Sequence, residues 1–231
     1  MASFDWASKW GYLLLPAICI FGFITNLINI IIFLSSKMKD ISFKYLLAIS
    51  FSDLLYLFSL SYLFISQCVD CPLHNTYFTH LYDFIFFHYF APCLAIFCIF
   101  TEIILSLILY SVLKNKTYLQ SLNFYLVIGF TLFVSFIYYL PLLFFKNISS
   151  INKSNNDTNK TIINYNNEYT EVDTSLGSSL YGQVLPIILQ SIRIFLAVFV
   201  LTSINIFNAI LFRKRYSNKI QALDQRSNNN K

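Results

Sequence analysis

Three ionisable residues stand inside long apolar runs of this sequence: Asp53, Glu102 and Arg193. An ionisable side chain inside a bilayer is costly unless it is paired or hydrated, so it marks a functional site by default. Two carboxyls that meet in a dry site share a proton or hold a cation. If Asp53 and Glu102 face different helices, Glu102 is instead a protonated, hydrogen-bonded acid. The sequence is compatible with both arrangements.

Asn26 and Asp53 are predicted to lie at a similar depth on neighbouring helices. Asp53 follows Lys44 by nine residues, or roughly 13 Å of helix. Asn26 precedes Lys37 by eleven residues, or roughly 16 Å. Because the short connection makes these helices antiparallel neighbours, we expect the Asn26 amide to donate to the Asp53 carboxyl, with Asn29 on the same face. The alternative is that these polar residues serve helix packing alone.

Asp83, His88 and Arg193 are candidates to face a ligand at one end of the helices. Residues 194–212 are uncharged and nearly long enough to cross a bilayer alone, which places Arg193 near one membrane face. There it would extend to lipid headgroups, pair with Asp83 or contact an anionic ligand. His88 has no acid or nucleophile beside it in the sequence, and GxSxG, HExxH and Gly-rich phosphate motifs are lacking. We therefore predict that the protein is not an enzyme.

Cys68 and Cys71 are predicted to form a local disulfide. With His74 and His80 their spacing imitates a zinc site. On an oxidising outer face, however, a disulfide or an inert loop is favoured over metal. No metal site and no resident cofactor are predicted. The remaining cysteines stand in apolar runs and are expected to be buried packing residues: Cys19, Cys93 and Cys98.

The elements that position these residues follow from the distribution of charge. Of 231 residues, 12% are charged and 57% hydrophobic, whereas soluble domains carry about 25% charged residues. This composition excludes a cytosolic enzyme, and the short basic clusters beside apolar runs argue against nucleic-acid binding. A bilayer core requires about 20 apolar residues per helix. The intervals between charges predict an all-α membrane protein, a bundle over residues 10–212 with five spans at about 10–34, 45–67, 84–113, 117–145 and 184–212.

The orientation of the bundle follows from basic clusters and glycosylation sequons. Lys and Arg concentrate on the cytoplasmic side of membrane proteins, and here they occupy alternate connections. Residues 1–9 and the segment 146–183 are then outside, and the tail 213–231 is cytoplasmic. The outer segment carries four sequons, at Asn147, Asn152, Asn156 and Asn159. We expect a plasma-membrane protein with a flexible, glycosylated outer loop.

The first two spans resemble those of rhodopsin-like G-protein-coupled receptors. The similarity lies in Gly22-Phe-Ile-Thr-Asn26, the basic connection that follows, and Tyr45-Leu-Leu-Ala-Ile-Ser-Phe-Ser-Asp53-Leu-Leu. The resemblance is to invertebrate peptide or chemosensory receptors, and it implies the first five of seven helices. It further implies that Asn26 and Asp53 are the family's polar pair, with Asp53 at a sodium site. The implied partners are a peptide or small chemical ligand and a G protein.

The sequence also departs from that family. The family's Asp/Glu-Arg-Tyr triplet reads Ile108-Leu109-Tyr110 here, residues 117–145 contain no Trp, and residues 146–183 contain no Cys for the usual outer disulfide. Five spans rather than seven lead us to expect a gene fragment or a degenerate receptor. Two alternatives stay open: a non-signalling membrane partner of a full-length receptor, and a small ion transporter or channel component with Asp53 and Glu102 in the ion pathway.

Overall fold

The computed structural model describes residues 2–35, 40–61, 76–114, 122–151 and 168–229. Five long helices account for most of them: α1 (Ala2–Ser35), α2 (Ile41–Ser61), α3 (Tyr77–Leu113), α4 (Phe124–Phe144) and α5, which begins at Leu180 and ends at Asn229. Each contains a stretch long and apolar enough to cross a bilayer. The predicted helical membrane bundle with five spans is therefore confirmed.

The spans differ from the predicted ones at their ends. The apolar helical stretches are Ala17–Leu34, Ile41–Ser61, Tyr77–Leu113, Phe124–Phe144 and Leu180–Ser217. A capping side chain can stabilise a first helical turn that lies beyond a charged residue. The spacing between charges does not reveal such a cap. The α3 helix begins earlier than predicted because the Thr76 side chain accepts a hydrogen bond from the Thr79 backbone N–H at 3.3 Å. Residues 62–67, the predicted end of the second span, lie outside the described residues.

Helix α3 occupies the centre of the bundle. In an apolar window of 18 residues in α3, 39% of the residues are buried, compared with 6% for the corresponding windows of α1 and α5. One buried cluster joins α3 to α4 and α5 through Cys93, Ile96, Tyr139 and Leu189. Cys19, Cys93 and Cys98 are all buried, as predicted. A side chain on α3 can therefore contact more neighbouring helices than one on α1.

Basic residues in α2, just after α3 and in the second half of α5 lie at one end of the bundle, which we call the basic end. It includes Lys44, Lys114 and the run Arg213 to Arg215. Contacts that join the helices there include the Phe33 and Phe43 rings at 6.2 Å, the Tyr45 and Phe124 rings at 5.0 Å, and the Arg215 guanidinium with the Val112 carbonyl at 3.2 Å. The described basic residues that follow or precede these spans thus lie at the same end of the bundle.

An antiparallel β-hairpin lies at the opposite end, the hairpin end. Strands β1 (Lys146–Ile151) and β2 (Glu168–Asp173) pair from Lys146 opposite Asp173 to Ile151 opposite Glu168. The expectation of a flexible loop throughout 146–183 is therefore wrong at both ends of that segment. In an antiparallel ladder alternate residue pairs exchange backbone hydrogen bonds, which orders both strands.

The hairpin is fixed to the helices by aromatic and backbone contacts. The Tyr169 ring lies 5.4 Å from Tyr77 at the start of α3. The Thr174 N–H donates to the Phe145 carbonyl at 2.9 Å, which joins the end of α4 to the chain after β2. The hairpin therefore packs against the end of the bundle where α4 ends and α5 begins.

Two π-helical segments interrupt the long helices toward the hairpin end. Asp83–Phe90 interrupts α3 and Leu196–Leu201 interrupts α5. The last turn of α4, Leu140–Phe144, is a 3-10 helix that contains Pro141. Segments of π-helix are rare and often occur at functional sites, because the extra residue changes the direction of nearby side chains. This irregularity directs attention to the side chains at the hairpin end.

Candidate functional site

A polar cluster around Asp53 lies between α2 and α3. The Cys98 thiol donates a hydrogen bond to Asp53 Oδ1 at 3.3 Å. Glu102 lies one helical turn beyond Cys98 on the same face of α3, close enough to Asp53 for their charges to interact. A shared proton or a bound sodium ion between the two acids stays a prediction.

The predicted hydrogen bond between Asn26 and Asp53 is wrong. The Asn26 amide donates to the Gly22 carbonyl of its own helix at 3.0 Å. A short polar side chain on a helix reaches the carbonyl four residues earlier without help from a neighbouring helix, and here this local bond replaces the contact with Asp53. Asn29 does not join the polar cluster either, because its side chain is exposed on the outer surface of α1.

A second group of charges lies at the hairpin end, where the hairpin contacts α3. Lys146 Nζ on β1 is 2.7 Å from Glu171 Oε2 on β2, and His88 Nε2 on α3 is 3.7 Å from the same oxygen. Lys146 Nζ and His88 Nε2 are 3.5 Å apart. Glu171 thus bridges a lysine and a histidine and connects both strands of the hairpin to the central helix.

The first cavity lies beneath this charged group. Its volume is about 320 Å³, within the range of small-molecule sites. It is lined by His88 from α3, Phe145, Lys146 and Asp173 around the hairpin, and Gln183 and Pro186 from α5. The lining combines aromatic and apolar surface with a few charged and amide groups. Such a lining holds a ligand by apolar contact and orients it by polar contact.

The second cavity lies deeper between α2, α3, α4 and α5. Its volume is about 390 Å³, and its polar lining residues include Tyr56, His88, Tyr139, Gln190 and Arg193. Three residues line both cavities: His88, Leu142 and Pro186. The two cavities are therefore neighbours that share a wall.

Two of the three predicted ligand-facing residues line these cavities, and the third does not. His88 lines both cavities and Arg193 lines the second, whereas Asp83 lines neither. Arg193 forms no ion pair with Asp83; its guanidinium lies near the hydroxyls of Tyr138 and Tyr139. The π-helical turn that begins at Asp83 accounts for the difference, because it changes which side chains of α3 face the interior.

Several predicted sites fall outside the described residues. These are the cysteines Cys68 and Cys71 and the sequons at Asn152, Asn156 and Asn159. Asn147 is described: it is exposed on β1, and its side-chain oxygen accepts a hydrogen bond from the Ile148 N–H at 2.8 Å. Its glycosylation stays a prediction.

Sequence reasoning missed Lys146, Glu171 and Tyr139 as site residues. For Lys146 and Glu171 the available signal was the pattern Glu168-Tyr-Thr-Glu-Val-Asp, in which β-branched and aromatic residues favour a strand. Tyr139 stands in an apolar run with many aromatic residues, and nothing in its neighbours distinguishes it. In the part of the chain that the structure describes, no three His, Cys, Asp or Glu residues cluster as metal ligands.

Comparison with known proteins leaves the family of the chain as a prediction. No protein-family model and no curated protein sequence match it. The functional argument therefore depends on the cavities, the charges around them and the polar cluster.

Proposed function

We propose that this chain is a receptor-like protein of the plasma membrane that binds a peptide or small chemical signal at its hairpin end. The observation that supports this is the pair of adjoining cavities lined by aromatic residues, His88 and Arg193. In the proposed orientation the N-terminus and the hairpin end are outside, and the basic end and the C-terminus are cytoplasmic.

Helix α3 provides the connection between binding and response. It carries His88 at the cavities and Cys98 in the polar cluster, ten residues or roughly 15 Å apart. A ligand that favours one position of α3 at the hairpin end would bias the contact between Cys98 and Asp53. The response is then a shift between two packings of α2 against α3, driven by the difference in ligand affinity for the two. We expect no agonist-driven G-protein activation, because the family's arginine is replaced by Leu109.

The proposal is tested by thermal unfolding of the purified protein in lipid discs against a library of small organic acids, amines and short peptides. Leu142→Trp introduces a larger side chain in the wall shared by both cavities and so reduces the space for a ligand. Leu126→Trp is the matched control on the exposed surface of α4. We expect compounds that raise the unfolding temperature of the wild type and of Leu126→Trp but have no effect on Leu142→Trp. Compounds that stabilise all three proteins equally, or a library without any stabilising compound, would contradict the proposal.

A second candidate is a membrane partner of a longer receptor. It is favoured by Asn29, a polar side chain exposed on the lipid-facing surface of α1. An amide in lipid finds hydrogen-bond partners by packing against another helix. Co-purification of a longer receptor with the wild type, reduced by Asn29→Leu and unchanged by the control Ile28→Leu at a neighbouring exposed position, would favour this candidate.

A further inference from the structure

The second cavity contains a cationic group that the described residues do not neutralise. Arg193 on α5 lines it, and no Asp or Glu is among the lining residues. Glu171 forms an ion pair with Lys146 and lies near His88, and no described acid lies within ion-pair distance of Arg193. A charge in such a place is costly unless a counter-charge or water approaches it.

A buried hydroxyl beside Arg193 also lacks an acceptor for its proton. Tyr139 is 3% exposed, and its hydroxyl lies beside the Arg193 guanidinium, which can only donate. The Tyr138 hydroxyl donates to the Leu189 carbonyl at 2.9 Å, whereas the Tyr139 hydroxyl finds no acceptor among the described residues. A buried hydroxyl without an acceptor is rare, and each case calls for an explanation. Tyr139 lines the same cavity as Arg193, so one bound group that accepts hydrogen bonds would satisfy both.

The other lining residues indicate which kind of molecule would carry the hydrogen-bond-accepting group. Leu60, Phe87, Ala91, Pro92 and Leu142 provide an apolar wall. The planar guanidinium of arginine matches the two oxygens of a carboxylate, and a tyrosine hydroxyl donates to the same group. An apolar wall beside these donors fits a molecule with a hydrocarbon or aromatic body and one carboxylate.

We infer that Arg193 and Tyr139 form a binding site for the carboxylate of a small amphipathic acid, with its apolar body against α2 and α3. This inference depends on the proposed function, because it names the chemical class of the signal that the hairpin end binds. Gln190, which lines the cavity one turn before Arg193, would contribute an amide to the same carboxylate.

The test measures binding of 3-phenylpropanoate to the protein in zwitterionic lipid discs by saturation-transfer NMR, with 3-phenylpropanamide as the uncharged analogue of the same shape. We expect the carboxylate to bind at least about tenfold more tightly than the amide, the order of difference that a charge-assisted hydrogen bond produces. Arg193→Gln should remove this preference, Arg193→Lys should retain part of it, and Tyr139→Phe should weaken carboxylate binding about threefold. Arg213→Gln, the same charge change at the basic end, should bind as the wild type does.

Gln190→Glu keeps the inference testable if Arg193→Gln does not fold. The introduced acid would pair with Arg193 and repel the probe, so we expect carboxylate binding to be lost and amide binding kept. Equal binding of the carboxylate and the amide, unaffected by Arg193→Gln, overturns the inference and leaves the proposed function intact. Binding of neither probe overturns the inference, and the Leu142→Trp experiment then decides the proposed function separately. Probe binding that discs containing phosphatidylglycerol abolish identifies a lipid as the occupant and overturns the assignment to a small acid.

Discussion

The hairpin end and the polar cluster both hold ionisable groups, but they differ in the space around those groups. At the hairpin end, Arg193 and the Tyr139 hydroxyl border a cavity of about 390 Å³. Among the described residues, Arg193 has no acid within ion-pair distance and the hydroxyl has no hydrogen-bond acceptor. In the polar cluster, Asp53 accepts a hydrogen bond from Cys98, and neither residue lines either cavity. Polar groups beside empty space are suited to bind a ligand, whereas polar groups in contact with each other connect two helices.

The largest effect is expected where the hairpin end depends on close backbone packing. A Cβ at Gly182 would lie 2.4 Å from the carbonyl oxygens of Leu176 and Gly177, too close for any side chain. Gly182→Ala should therefore destabilise the protein by about 3 kcal/mol or more. Gly129→Ala is the control, because nothing lies within 4 Å of its new methyl group; it should alter stability by less than about 1 kcal/mol. Thermal unfolding in detergent measures both, and equal melting temperatures would show that this packing is not needed.

A smaller effect is expected from the ion pair that joins the two strands of the hairpin. The Lys146 and Glu171 side chains are 36% and 18% exposed, so solvent weakens their attraction. A double-mutant cycle with Lys146→Met and Glu171→Gln should give a coupling free energy of about 1 kcal/mol, reduced by added salt. Asp40→Asn, the same charge change before α2 at the basic end, is the control and should not couple to Lys146→Met. Coupling as strong for Asp40 as for Glu171 would remove the reason for assigning the pair.

The smallest effect is expected in the polar cluster. Cys98→Ala removes the donor to Asp53 and should cost about 1 kcal/mol or less, because thiols are weak donors. Cys98→Ser restores a donor of similar size and should be more stable than Cys98→Ala. Thermal unfolding in detergent compares the two variants. A serine variant less stable than the alanine variant would mean that the hydrogen bond contributes nothing and that packing alone explains Cys98.

The helices could be predicted from the sequence and the hairpin could not. Intervals between charged residues are long only where a chain crosses lipid, which is why the five spans can be predicted from the positions of Lys37, Lys44 and similar flanking charges. Strands β1 and β2 flank a polar segment rich in Asn, and that composition masks the short alternating pattern after Glu168. The pairing of Lys146 with Glu171 depends on the register of two strands that are distant in sequence.

The site was predictable in its residue types and less so in its contacts. Arg193, His88 and Asp53 are polar residues in apolar runs. The free-energy cost of placing such side chains in a bilayer identifies them as candidate site residues. The partners of these residues depend on helix rotation, which the π-helical turn after Tyr82 alters in α3. For this reason Asp83 lies outside the cavity linings. Asn26 bonds to its own helix because the Gly22 carbonyl lies within reach of its side chain.

The most direct test of a ligand site open to the outside is cysteine modification on intact cells. Gln190→Cys places a thiol in the lining of the second cavity, and Ser217→Cys places one at the basic end. A membrane-impermeant methanethiosulfonate reagent is applied to each variant, and the unsubstituted chain provides the background from its own cysteines. We predict that Gln190→Cys reacts on intact cells and that Ser217→Cys reacts only after permeabilisation. Reaction of Ser217→Cys alone on intact cells, or no reaction of Gln190→Cys under either condition, would contradict the account.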